Sequence, residues 1–154
     1  MRLSRNTTTT LSTSILASKI RALIELNIIL DVAQNRQPSL ADSKRLLDSA
    51  DAGLFEGLLS AHSVTTLYYL LAKYGSPSGA RVALIEYLQF LAVATVDQHT
   101  IEQALQLSYH DFEDAVAMMA AVHAQARFVV TRNADHFKHG PLPALTPVEF
   151  LAIL

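Results

Sequence analysis

Short apolar runs suited to strands alternate along this chain with longer segments of helical period, and that alternation constrains the fold most. Ala22-Leu23-Ile24-Glu25-Leu26 is an apolar run ending at a carboxylate, and Gly53–Ser60 reads as a turn plus a short strand. Ala92–Val96 is a strand ending at Asp97, and Phe128-Val129-Val130-Thr131 is the clearest strand, rich in β-branched residues. Between these runs lie helical faces. Ile28–Val32 makes a helical turn after Asn27, and Asn35–Ser39 is a loop. Ser39 with Asp42 reads as a capping pair before Leu40, Leu46, Leu47 and Ala50. Val64, Leu67, Leu70, Leu71 and Tyr74 share a helix stopped by Gly75-Ser76-Pro77-Ser78-Gly79. Val82, Leu84, Ile85, Leu88 and Leu91 lie on the next helix, followed by Ile101, Ala104, Leu105 and Leu107 on another. Asp111-Phe112-Glu113-Asp114 opens a helix running to about Ala124, and Thr146-Pro147-Val148-Glu149 starts the last one with a cap, a proline and a capping glutamate. Strands alternating with helices build a mostly parallel sheet covered on both faces, because each parallel connection needs a crossover and that crossover is usually a helix. The predicted class is therefore α/β, a three-layer α/β/α sandwich around a central, mostly parallel sheet.

The chain has 154 residues, the size of one domain, which is assigned to residues 19–154. Met1–Ser18, rich in Thr and Ser, has no apolar segment of the kind a secretory signal needs and is expected to form a loose polar extension. Hydrophobic residues make up 51% and charged residues 17%, a balance that excludes disorder and long coiled coil. The longest apolar run, Ala115–Val122, is far short of the ~18 residues of a membrane span, so no membrane association is expected. Cysteine is absent, which removes disulfides, iron–sulfur clusters and thiolate zinc sites and fits a cytoplasmic protein. With a net charge of −2, bulk charge advertises no basic nucleic-acid surface.

In open parallel sheets, ligands bind beyond the carboxyl ends of the strands. Glu25 and Asn27 follow the first strand, Thr131 and Asn133 the strand at Phe128, and Asp111 and Asp114 open a helix three residues apart, hence on one face. Carboxylates gathered without thiolates favour a hard, oxygen-seeking cation, Mg²⁺ or Mn²⁺, and such a centre suits phosphoryl transfer. Asp111 and Asp114 serve equally as helix cap and first-turn anion, and Asn133 as a cap for the following turn. A carboxylate just after an apolar strand has a desolvation cost unless it is paired or metal-bound, which makes Glu25 the stronger functional candidate. Asp31 suits a structural or a functional role alike, whereas Asp97 suits a helix start. The six histidines show no metal-ligand spacing: His136 and His139 are three apart near a Gly-Pro loop and the others are scattered. Neither a nucleophile elbow, a P-loop nor a dinucleotide fingerprint occurs.

Taken in order, Leu23-Ile24-Glu25-Leu26-Asn27-Ile28-Ile29-Leu30-Asp31, Ser60-Ala61-His62-Ser63-Val64-Thr65-Thr66-Leu67-Tyr68-Tyr69-Leu70, Asp111-Phe112-Glu113-Asp114-Ala115 and Val130-Thr131-Arg132-Asn133 resemble the motifs of a PIN domain. The tail from Leu145 to Leu151 fits too, so the resemblance covers about Lys19 to Leu154. It implies the PIN fold and a Mg²⁺- or Mn²⁺-dependent endoribonuclease, of the VapC type found in toxin–antitoxin pairs. RNA would be the substrate, an antitoxin a possible protein partner, and a homodimer the expected assembly. Position by position, the resemblance puts Glu25 in the place of the first metal aspartate and Asp114 in that of the third carboxylate. Asp111 is then a neighbouring acid, and Asn133 stands in the fourth acidic position. Asn27 and Thr131 would position substrate, and Arg132 either binds phosphate or is solvated. Two residues depart from the family pattern: Glu25 is one methylene longer than Asp, and Thr66 stands where the second carboxylate usually is. These departures imply fewer charges for metal and open an alternative, a catalytically impaired PIN-fold module that binds RNA or a protein. A flavodoxin-like receiver fits poorly, lacking an acidic pair after the first strand.

Overall fold

The computed structural model describes residues 19–154; the expected extension, Met1–Ser18, lies outside the described residues. Four apolar runs form strands: β1 (Arg21–Ile24), β2 (Glu56–Ser60), β3 (Leu91–Ala94) and β4 (Phe128–Val130), with a two-residue β5 (Ala144–Leu145). They pair in the order β3-β2-β1-β4-β5, and every pairing is parallel. Helices α1 (Leu26–Ala33), α2 (Leu40–Asp51), α3 (Ala61–Tyr74), α4 (Pro77–Tyr87), α5 (Gln98–Ala104), α6 (Phe112–His123) and α7 (Pro147–Ala152) complete the described elements, with a 3₁₀ turn at Ala134–Phe137.

Alternate residues of each inner strand serve opposite layers. Ala22, Ile24, Leu59 and Val130 pack with Ile28, Ile29, Leu46, Leu67 and Phe150, while Leu23, Leu58 and Val129 pack with Met118, Ala120 and Ala121 of α6. A strand buried on both sides must be apolar at every position, which is why these runs do not alternate with polar residues. The expected three-layer α/β/α architecture is what the chain adopts. Small side chains let α6 lie close beneath the sheet: every residue from Ala115 to Ala121 is buried.

Local boundaries differ from expectation in several places; β3, for one, ends at Ala94 rather than at Val96. Ser39 makes no side-chain cap bond, because the backbone is already helical there (φ −77°, ψ −16°) and Leu40 N–H donates to Arg36 C=O. The stretch Gly75–Gly79 both ends α3 and starts α4, since Ser76 Oγ accepts from Gly79 N–H at 3.0 Å and Pro77 opens the helix. Leu91 opens β3 rather than ending a helix: α4 stops at Tyr87, and Leu91 pairs with Gly57, where a Cβ would lie 2.6 Å from the leucine side chain. The pair β4–β5 has no counterpart in the sequence reading, because two residues carry no periodicity.

From β1 the chain moves outward to β2 and β3, then crosses back to place β4 on the other flank of β1. The direction of winding therefore reverses between β1 and β4, and such a reversal opens a crevice at the carboxyl ends of the two strands.

Candidate active site

Glu25 stands in that crevice. Its backbone N–H donates to Val130 C=O at 3.0 Å, extending the β1–β4 pairing by one bond. It is also the N-cap of α1: Oε2 accepts from Asn27 N–H at 3.1 Å and Oε1 accepts from Asn27 Nδ2 at 3.0 Å. Asn27 Oδ1 accepts in turn from Arg36 Nη1 at 3.3 Å. Asn27 therefore orients the carboxylate with two bonds and is itself held by Arg36, a residue that sequence reasoning missed because nothing local distinguishes it from a loop cation.

Burial pushes the Glu25 carboxyl up to about 7, against the Asn27 bonds that favour its charged form; the charge of Asp114 pushes it further and Arg132 works against the rise. Asp114, in the first turn of α6, is raised to about 6, first by burial and then by Asp111, with His136 opposing. His136 Nδ1 lies 3.9 Å from Asp114 Oδ2. The charge of Asp114 is thus felt at Glu25, although the two lie 89 positions apart in the chain.

Asp111 is exposed, and its Oδ1 accepts from Asp114 N–H at 3.3 Å as the N-cap of α6. Its charge raises the Asp114 pKa, yet its oxygen is engaged by the helix end. Thr131 is buried, and its Oγ1 accepts from Asn133 N–H at 3.1 Å, so the hydroxyl shapes the turn that carries Arg132 and Asn133. Asn133 is exposed and makes no side-chain cap bond to the 3₁₀ turn after it, and with Arg132 and Ser43 it lines a cavity that includes neither Glu25 nor Asp114.

Arg132 Nε lies 3.0 Å from Asp31 Oδ2, off the line of a directed hydrogen bond, and Ser43 Oγ donates to the same oxygen at 2.8 Å. Asp31 has no solvent exposure, and its other oxygen has no partner. A carboxylate inside the apolar stretch Ile28–Val32 was the signal for this pair, but the sequence left its role open because the partner lies 101 positions away.

At the end of β2, Ser60 Oγ meets His62 Nδ1. Burial holds the His62 imidazole below its ordinary pKa although Glu113 and Asp111 pull the other way, which sets the start of α3 next to the first turn of α6. Thr66 Oγ1 donates back to His62 C=O at 3.4 Å, so this position adds no carboxylate.

The donor set fits one hard cation and not two. Glu25 and Asp114 both have raised pKa values and Asp114 acts electrostatically on Glu25, and Mg²⁺ is commonly held by one or two carboxylates plus phosphate oxygens. Among the described residues, no three His, Asp or Glu side chains form a ready-made metal cluster. A cavity of about 670 Å³ at the opposite, amino edge of the sheet, lined by Lys19, Arg21 and Glu56, has no such chemistry.

A profile of the PIN domain family matches residues 21–135. The chain belongs to the PIN domain family. Its PIN domain is 23% identical over 135 residues to ribonuclease VapC1 of Aquifex aeolicus, covering 84% of this chain and 92% of that protein. Its fold resembles a toxin–antitoxin complex from Klebsiella pneumoniae, with a TM-score of 0.63 and 21% identity over 82% of this chain and 97% of that one. It also resembles VapBC-1 from nontypeable Haemophilus influenzae, with a TM-score of 0.63 and 12% identity over 84% and 99% of the two chains. No helix among the described residues is long and apolar enough to cross a membrane.

The raised carboxyls set a pH dependence. Folded Glu25 and Asp114 bind protons more tightly than they do in the unfolded chain, so their contribution to stability is full below the ordinary carboxylate range and is lost as pH rises through about 6 to 7. The metal-free PIN domain should melt at a lower temperature at pH 8 than at pH 5 on this account. His62 contributes in the opposite sense, so Glu25→Gln is the control, and it should flatten the decline. Equal slopes for the two proteins would contradict the Glu25 assignment.

Proposed function

We propose that this PIN domain is a metal-dependent endoribonuclease of the VapC toxin type. The observation carrying the proposal is the Glu25–Asp114 pair, two carboxyls pushed up to about 7 and about 6 at the crevice where sheet winding reverses. Proton affinity this high in neighbouring carboxyls is relieved when a cation takes the place of the protons. Glu25 and Asp114 would hold Mg²⁺ or Mn²⁺, with Asp111 adding charge from the end of α6. The bound ion supplies Lewis acidity and lowers the pKa of its water. Asn27 keeps the Glu25 carboxylate in its bidentate orientation, and Arg36 anchors Asn27. Asn133 and the outer nitrogens of Arg132 would orient an RNA phosphate, and Thr131 sets their turn. The relatives named as toxin–antitoxin complexes support an antitoxin as protein partner, and a homodimer remains the expected assembly.

RNA cleavage should appear with Mn²⁺ or Mg²⁺ and stop with chelator; cleavage surviving EDTA would refute the proposal. A second reading, an impaired PIN module that binds RNA or a partner, draws on Thr66 and on the absence of a three-ligand cluster among the described residues. Glu25→Asp separates the two. Shortening the side chain by a methylene should change cleavage about tenfold or more if Glu25 holds the metal, since a ~1 Å displacement can cost ~10²-fold in rate. No cleavage by either protein, together with RNA or partner binding, favours the module.

A further inference from the structure

His110 converges in space with His136 and His139, which lie three residues apart in a later loop. His110, His136 and His139 line a cavity of about 400 Å³ beside Asp114, together with Tyr109 and Lys138. Its walls are built rather than incidental. Tyr109 Oη donates to Phe137 C=O at 2.9 Å, and the two rings meet edge to face at 6.0 Å. At Gly140 the loop comes so close that a Cβ would fall 1.9 Å from Tyr109 Oη. His139 is held at φ +62°, a left-handed conformation unfavourable for a residue with a side chain.

The lining selects among ligands. It holds no three-ligand metal group. Three carboxylates, Asp111, Asp114 and Asp135, outnumber the single ammonium of Lys138, which already pairs with Asp135 at 2.8 Å. The lining therefore offers a phosphate no unpaired Lys or Arg. A lining of three imidazoles and a phenol suits an uncharged ring that can stack, and the acceptor carboxylates suit a ring that carries an exocyclic amine.

We propose that this cavity seats an unpaired nucleobase next to the bond being cut, preferring adenine, cytosine or guanine to uracil. The inference rests on the ribonuclease reading for its substrate and adds a base-recognition subsite to it. A duplex base is stacked and paired, so a strand must be single here to enter.

The full chain, free of metal, is titrated with 2′-O-methyl tetranucleotides of A, C or U while the imidazole proton signals of all six histidines are followed by NMR. Signals of His110, His136 and His139 should move and saturate while those of His99 and His123 stay still. The A and C strands should bind about fivefold to tenfold more tightly than U, on the scale of one stacked base. His139→Gly removes the ring and also relieves the left-handed backbone, so it should weaken A and C binding about fivefold without lowering the melting temperature. Silent cavity histidines, equal affinity for U, or an unaffected His139→Gly would each overturn the proposal. Mn²⁺-dependent cleavage with silent cavity histidines would overturn the subsite and leave the ribonuclease reading standing. Base binding in the cavity without cleavage in any metal would do the reverse.

Discussion

Asp114→Asn is expected to lower metal-dependent RNA cleavage by about 10²-fold or more, the range reached when one charged group that stabilises a transition state is removed. The substituted amide is nearly isosteric, and Asp111 Oδ1 still accepts the backbone N–H of residue 114, so α6 keeps its cap. The fold should not suffer. Removing the charge of Asp114 also removes one of the causes that raise Glu25, whose pKa should fall from about 7. The paired readout is therefore cleavage rate and the Glu25 titration followed by carboxyl ¹³C NMR. A lost rate with an unmoved Glu25 midpoint would mean that the two side chains do not share a site. Retained cleavage would remove Asp114 from the metal.

The second large effect concerns stability. Arg132→Met leaves Asp31 fully buried with only Ser43 as a side-chain partner. Breaking a buried ion pair from one side costs ~3–5 kcal/mol, because the remaining charge is uncompensated. The guanidinium side chain is 32% exposed, which puts the expected loss at the lower end, about 3 kcal/mol, or roughly 6–12 °C in melting temperature for a chain of this size. Adding Asp31→Asn should recover most of it, since an amide still accepts from Ser43 Oγ and carries no charge to strand. A single variant within 0.5 kcal/mol of the parent by urea unfolding would show that the pair contributes little. The result also bears on function: an arginine whose Nε is buried against a carboxylate offers RNA only its outer nitrogens, so rate and stability should fall together in Arg132→Met.

Much of the layer architecture was legible in the residues. Phe128–Val130 and Ala22–Ile24 announced buried strands because both of their faces are covered, and the Ala-rich run from Ala115 announced a helix that packs closely. Boundaries were less legible where one residue serves two elements. Leu91 continues the helical spacing of α4 yet opens β3, since pairing with Gly57 buries it better than a further helical turn would. Ser39 has the chemistry of a cap, but the turn before it is already helical.

The site divided in the same way. Residue chemistry alone determined the hard-ligand character of Glu25, Asp111 and Asp114 and the closeness of Asn27 to Glu25, because these depend on side-chain type and on spacings of two or three residues. Only the tertiary structure decided that β4 lies against β1, which puts the Thr131-Arg132-Asn133 turn beside Glu25. It also decided that Arg132 pairs with Asp31, that His62 reaches the acidic start of α6, and that His110 joins the loop of His136 and His139 in lining one cavity. Each of these contacts joins residues tens of positions apart, brought together by burial of the layers between them. A sequence displays local period and side-chain chemistry, whereas such distances are set by the summed packing of the whole fold.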